Sequence, residues 1–368
     1  MFNFPSTFRL QDLVAITAPV FDLKANRFQK EADDATRKWF QSVYDENKLN
    51  QFLDVARFDL FAALAFPNAD QVHLETCLAF FLWAFSTDDL SDEGELQARP
   101  QDVQAGVDIS MSILYNPDAP RPQYPYAAML HDILRRIRMT ATSGTCYRFA
   151  RAFEDWSRSQ IKQAHNRSVS KMPSVEEFII MRRATIGGAM VEAMIEYSMD
   201  IDLPYYVFKD PVIIGMSEAA TDVLTWPNDL CSFNKEQADG DYQNLVCALM
   251  VERRVDLQTA IDLLTDMLSE RVRDYANLKT KLPSFGREID AQLVIYHKNL
   301  EHFVQGTIVW YYASARYFPN IDVSSRENLV IRLFSGTLLT PWDKWQGNQN
   351  LGNTVNVPTK TERQRPLA

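Results

Sequence analysis

Asp88, Asp89 and Asp92 lie in the run Phe80 to Glu95, FFLWAFSTDDLSDEGE, where an aromatic stretch ends abruptly in a block of carboxylates. On a helix, Asp88 and Asp92 stand four positions apart on one face, where their oxygens can share a divalent cation. Without a cation they repel. Carboxylate oxygens with some retained water suit magnesium. One and two turns back, the same face carries Phe85, Ala84 and Phe81, so apolar surface leads into the acidic one. That combination would suit a greasy molecule with an anionic head. Alone, the block reads equally as a solvated acidic helix end. A second column of oxygens is formed by Asn228, Ser232 and Glu236, which repeat every four residues and place an amide, a hydroxyl and a carboxylate on one helical face. They could hold a second magnesium, and Lys235 beside them could meet a phosphate. By itself this column, too, could be an exposed polar stripe. Pro227 lacks an N–H and clashes with the preceding turn of a helix, so a helix is expected to start or kink there.

The elements that must position these residues read as helices. With 46% hydrophobic residues in 368, the chain can bury a large core, and length alone allows one large domain or two smaller ones. Glycine is scarce at 12 residues, and alternating strand patterns with hairpin turns are missing. Helical patterns cover Glu31 to Tyr44, Phe52 to Phe66, Gln71 into the acidic block, Asp102 to Leu114, and Tyr126 to Ala164 in two halves. Ser174 to Met199 opens with a capping box, Ser174 to Glu177, and is interrupted at Gly187-Gly188, which invites a bend. Asp210 to Glu236, Gly240 to Val251, Asp256 to Leu278 and Phe285 to Tyr317 complete about a dozen helices.

A net charge of −10 and a pI near 5.1 argue against a nucleic-acid partner, which calls for a basic face. Cys77, Cys146, Cys231 and Cys247 are widely spaced, form no CxxC pair and read as reduced thiols. The five histidines, His73, His131, His165, His297 and His302, show no shared zinc spacing. The N-terminus lacks a basic start followed by an apolar core, and no apolar run approaches a membrane span, so a cytoplasmic protein without stable membrane insertion is expected.

Taken together, the two motifs resemble those of microbial class I terpene synthases of the fungal, sesquiterpene-forming type. The family's DDxxD-type motif is matched by Asp88-Asp89-Leu90-Ser91-Asp92, and its NDxxSxxxE triad by Asn228, Ser232 and Glu236, which begins 140 residues later. The family's lysine before the glutamate is present as Lys235, and the motif runs on through Gly240-Asp241 and Asn244. Its diphosphate-sensing arginine, 46 positions before the triad asparagine, falls at Arg182, and its closing Arg-Tyr pair at Arg316-Tyr317. Trp310 resembles a pocket-lining aromatic of the family. The likeness runs from about Phe8 to Phe318. Departures are Pro227, Gly306-Thr307 in place of a usual asparagine, and a tail after Gly336 without a usable motif.

The resemblance implies an all-α, single-domain bundle around a central active-site cavity over residues 1–335, with 336–368 a flexible tail or lid. It implies three Mg2+ ions, held by Asp88 with Asp92 and by Asn228, Ser232 and Glu236, with Asp88 mattering most for the metal, Asp92 less and Asp89 least. Arg182, Lys235, Arg316 and Tyr317 would meet the diphosphate. The break at Gly187-Gly188 would present the carbonyl of Ile186 to the ionising substrate, with Thr185 as linker, an assignment that shifts by one if Arg183 is the sensor. Trp310 and Phe81, then Phe85, Phe58 and Phe61, would face the hydrocarbon. Asp229 and Glu93 are expected to be solvated and Arg183 to be a surface or structural arginine. The implied reaction converts farnesyl diphosphate to a sesquiterpene in a monomer or homodimer. The alternatives are an acyclic alcohol synthase of the nerolidol or linalool type on the same scaffold, and a non-catalytic helical scaffold. A chain-elongating prenyltransferase would need a second aspartate-rich motif and a protonation-initiated cyclase a DxDD acid, and neither is present.

Overall fold

A computed structural model of the chain describes residues 4–41, 53–92, 99–169, 172–319, 321–327 and 329–334, with backbone alone at 88–92. Glu93 and the 336–368 tail lie outside them, as do the side chains of Asp88, Asp89 and Asp92.

Thirteen α-helices make up most of the described fold: α1 (Leu13–Thr17), α2 (Gln29–Gln41), α3 (Phe58–Ala65), α4 (Gln71–Asp92), α5 (Pro100–Tyr115), α6 (Pro125–Thr140), α7 (Ser143–Ser168), α8 (Val175–Thr185), α9 (Gly188–Ser198), α10 (Pro211–Ala238), α11 (Leu245–Arg253), α12 (Leu257–Lys279) and α13 (Arg287–Ala313). Helix α10 packs on α12 and α13, α13 on α3, α7 on α9 and α5, and α4 on α2 and α6. Helix α4 is apolar around most of its circumference because it runs through the middle of this bundle, where Phe80, Phe81, Leu82 and Trp83 are all buried.

The helix ends follow from local chemistry. Ser174 Oγ accepts from Glu177 N (3.2 Å) while Glu177 Oε2 accepts from Ser174 N (3.1 Å), the reciprocal capping box expected at the start of α8. Gly187, at φ 75°, ends the α8 segment in the left-handed conformation that glycine adopts without strain, and α9 begins at Gly188. Three expected helices are shorter than their hydrophobic pattern. The run from Phe52 is cut at Arg57 (φ 54°), leaving a helical turn at 53–56 before α3. Helix α11 begins at Leu245 rather than Gly240, because Asn244 caps it through Val246 N (2.9 Å) and leaves 239–244 as a loop. Helix α13 ends at Ala313, so Arg316 and Tyr317 lie beyond it. Pro227 starts no helix: it sits inside the continuous α10. Its missing N–H takes from the Val223 carbonyl its usual helical donor, and one residue on, the Leu224 carbonyl accepts from Tyr311 Oη (3.2 Å), so tertiary hydrogen bonding supports this stretch.

The composition gave no sign of a two-stranded antiparallel sheet, which pairs β1 (Thr7–Leu10) with β2 (Leu329–Arg332) in the register Thr7 with Arg332 and Leu10 with Leu329. It ties the first described segment to the last, and Asn234 of α10 fastens it by donating to the Arg332 carbonyl (2.9 Å). All four cysteines are free thiols.

His297, buried on α13, has its pKa pushed down to about 4, first by burial and then by Lys279. The unfolded chain therefore takes up this proton first as pH falls. Stability associated with neutral His297 should be intact above pH 6.5 and lost progressively down to about 4, amounting to up to about 3 kcal/mol. Urea unfolding of wild type and His297→Leu at pH 7.5 and pH 4 tests it, and equal losses in the two proteins would contradict it.

Candidate active site

A cavity of about 1340 Å³, a volume that includes the open mouth, is enclosed by α3, α4, α7, α8, α9, α10 and α13. Its floor is aromatic. Phe61 is stacked on both faces, against Phe81 (centroids 4.1 Å, 14°) and Trp310 (4.2 Å, 16°), and Phe85 meets Trp310 edge-on at 5.4 Å. Phe61 therefore offers the cavity mainly its rim, whereas its neighbours keep a face available. The Trp310 indole is fixed by donation to the Ala56 carbonyl (2.7 Å). Phe58 is not among the lining residues. It is buried against Phe85 and Trp310, with centroids at 4.9 and 5.8 Å.

The opposite end is polar. Asn228, Ser232 and Glu236 line it in one column, as their four-residue spacing on α10 dictates. Arg182 enters from α8 and donates there from Nη2 to Asn228 Oδ1 (3.0 Å), from Nε and Nη2 to Asp229 Oδ1 (3.1 and 2.8 Å), and from Nη1 to Thr185 Oγ1 (3.3 Å). Asp229, expected to be solvated, is instead buried: a residue one step from the column points into the bundle, and its carboxylate neutralises the Arg182 guanidinium. Burial pushes its pKa up, and Arg182 opposes that. Arg183 faces the other way, bound to Glu218 and Asp222, and does not line the cavity.

Arg316 and Tyr317 reach the cavity from the segment after α13. The Arg316 guanidinium lies over Phe85 at 5.4 Å, and Tyr317 Oη accepts from Asn228 Nδ2 (3.3 Å). Lys235 lines the same end, as do Ile186 and Gly187. The Thr185 carbonyl is taken by Trp156 Nε1 and Gln160 Nε2, each at 3.2 Å, which fixes the broken helix beside the cavity.

Whether a divalent ion suits these residues can be judged from the donors. Ser232 Oγ, beside the Glu236 carboxyl, is buried without a well-formed hydrogen bond, an expensive arrangement unless something else meets it. Glu236 Oε2 accepts from Asn244 Nδ2 (2.8 Å). Its carboxyl opens on the cavity but is walled by protein, and burial first, then Asp241 and Asp229, push its pKa up to about 7. A cation would relieve both, so the all-oxygen set fits a hard divalent ion.

Sequence reasoning missed Trp156, Arg167, Leu224, Phe303 and Thr307, all of which line the cavity. The only signal for Arg167 was that Gln160, Gln163 and Arg167 recur at helical spacing in α7, which charged neighbours on both sides obscure. Arg182→Lys would keep a charge but lose the fork holding both Asn228 and Asp229. It should cost about 10–100-fold in turnover with little change in Tm, while Arg183→Lys, remote from the cavity, should cost much less; the reverse order would show that the fork is not what matters.

The family model described as terpene synthase family 2, C-terminal metal binding, matches residues 79–274. Sesquiterpene synthase Agr1 of Cyclocybe aegerita is 31% identical over 88% of this chain and 92% of its own. Alpha-muurolene synthase of Coprinopsis cinerea is 28% identical over 90% and 79%. The crystal structure of the SVS_A2 protein from ancestral sequence reconstruction superposes with a TM-score of 0.72 at 22% identity, covering 84% of this chain and 90% of that one. The family model spans α8 and α10, which carry Arg182 and the oxygen column, and on that match and the fungal relatives this chain is a member of terpene synthase family 2.

Proposed function

We propose that the protein ionises farnesyl diphosphate and cyclises the resulting carbocation to a sesquiterpene, releasing diphosphate. The observation that carries this is the two-ended cavity, an aromatic floor beneath a rim holding Arg182, Lys235, Arg316 and the oxygen column of α10. That the fungal relatives are sesquiterpene synthases supports the choice of chain length.

In the reaction the allylic C–O bond breaks heterolytically and its electron pair leaves with the diphosphate. Arg182, Lys235 and Arg316 supply charged donors and Tyr317 a hydroxyl where that negative charge develops. Three Mg2+ ions, held by Asp88 with Asp92 and by Asn228, Ser232 and Glu236, would neutralise the leaving group when bound. Ile186, at the break before Gly187, lines the cavity, and its carbonyl dipole would favour the nascent cation. Phe81, Phe85 and Trp310 then shelter the cation from water and stabilise it through their faces, the ring closes by attack of a distal double bond, and proton loss ends the sequence. Among the described residues no helix is long and apolar enough to cross a membrane. The reading is of a cytoplasmic monomer or homodimer whose catalytic domain spans 1–335.

Purified protein incubated with Mg2+ and geranyl, farnesyl or geranylgeranyl diphosphate, followed by gas chromatography of the extract, tests this. A cyclic sesquiterpene from farnesyl diphosphate is the expected product. A linear alcohol would keep the ionisation and refute cyclisation. No terpenoid from any of the three would overturn the reading.

A further inference from the structure

Four cationic side chains line the polar end of the cavity, and three of them, Arg182, Lys235 and Arg316, are assigned above to the diphosphate. The fourth is Arg167, in the last turn of α7. We propose that Arg167 is a further diphosphate-binding residue, held against Asp241 until the substrate's anionic head enters and then drawn to it. This rests on the reading of the cavity as a prenyl diphosphate site.

Arg167 Nε and Nη2 both reach a single oxygen, Asp241 Oδ2, at 3.1 and 2.9 Å, and each side chain of the pair is only 8% exposed. So dry an ion pair is a poor device for stability alone, since the cost of desolvating two charges largely cancels their attraction. Asp241 does not need the arginine to hold it in place. Its Oδ1 accepts from Gln243 N (2.9 Å), and its own N–H donates to the Glu236 carbonyl (2.9 Å), so the loop between α10 and α11 fixes it unaided. What Asp241 does supply is a counter-charge.

A second pair of the same kind stands near Glu236. There Arg182 is held by Asp229, as Arg167 is held by Asp241, and both carboxylates stand close enough to Glu236 to raise its pKa. Each guanidinium thus lines the cavity that the oxygen column also lines, with a resident carboxylate as partner. A diphosphate oxygen carries more charge than Asp241 offers and can accept from the same planar fork, so exchange of partners requires only movement of a long side chain at a helix end.

Isothermal titration of inorganic diphosphate into the protein in magnesium buffer is the test. Arg167→Gln should weaken binding by about tenfold or more, the loss of one charge-assisted contact. Asp241→Asn keeps the acceptor for Gln243 N while removing the counter-charge, so it should bind diphosphate as tightly as wild type or more tightly. Only Arg167→Gln therefore loses affinity if Arg167 serves the ligand. Equal losses in both, accompanied by a lower Tm, would mean a structural ion pair and overturn the proposal. Unchanged affinity in Arg167→Gln would overturn it as well. Should that variant fail to fold, Arg167→Lys keeps the charge without the fork, and a several-fold loss is expected where no change would be contrary. Wild type that binds no diphosphate would sink the prenyl diphosphate reading along with this one. Wild-type binding that Arg167→Gln leaves intact would sink this one alone.

Discussion

Glu236→Gln should lower magnesium-dependent diphosphate release by roughly three orders of magnitude, about 4 kcal/mol of transition-state stabilisation, while leaving the protein at least as stable as wild type. The two effects have separate causes. The carboxyl is walled by protein and pushed up to about pH 7, which means that its charged form is unfavourable where it stands. An amide of the same shape removes that charge, and its oxygen can still accept from Asn244 Nδ2, now 2.8 Å from Oε2. Stability is thereby kept or raised. Chemistry is not, because an amide carries no formal charge toward a divalent ion, and in this column Ser232 and Asn228 are neutral already. Diphosphate release measured with and without Mg2+, beside thermal unfolding of both proteins, separates the outcomes. A variant that lost turnover together with Tm would mark Glu236 as structural, and one that kept full turnover would remove the α10 column from the mechanism.

The column was legible because its information is local. Asn228, Ser232 and Glu236 need only a helix to align them, and the surrounding run in α10 supplies it. The Ser174 capping box and the break at Gly187-Gly188 were legible for the same reason, since a cap or an interruption is written within four residues. What escaped depends on partners distant in sequence. Asp229 looked solvated because nothing nearby in the chain announces Arg182, 47 positions away, as its counter-ion. Phe58 shares a helical face with Phe61, but it is buried against Phe85 and Trp310, partners distant in sequence. The β1–β2 pairing joins segments more than three hundred residues apart, and four-residue strands carry too little alternation to stand out. Pro227 lies inside a continuous helix rather than at the start of one, and the hydrogen bond of Tyr311 to the Leu224 carbonyl that supports this stretch comes from a residue distant in sequence.

The departure at Gly306-Thr307 has a physical reason that leads to the second large effect. Gly306→Ala should destabilise the protein by about 3–5 kcal/mol and change the product ratio, even though alanine is the better helix former by about 1 kcal/mol. A Cβ at Gly306 would lie 2.7 Å from the Leu64 carbonyl oxygen and 2.8 Å from its carbon, in the backbone of α3. No rotamer relieves a clash with backbone, so α3 and α13 would have to separate. Those two helices carry Phe61 and Trp310, whose rings are stacked at 4.2 Å, and Thr307 beside Gly306 lines the same cavity. Separation therefore loosens the floor on which a carbocation would rest, and it weakens dispersion contacts that fall steeply with distance. Gly106→Ala is the control: it sits in the exposed helix α5 with nothing within 4 Å of a new Cβ, and should gain up to about 1 kcal/mol. Urea midpoints of both variants, with gas chromatography of their products, give the comparison. If Gly306→Ala proved as stable as wild type with the same products, close helix contact would not be what shapes this floor.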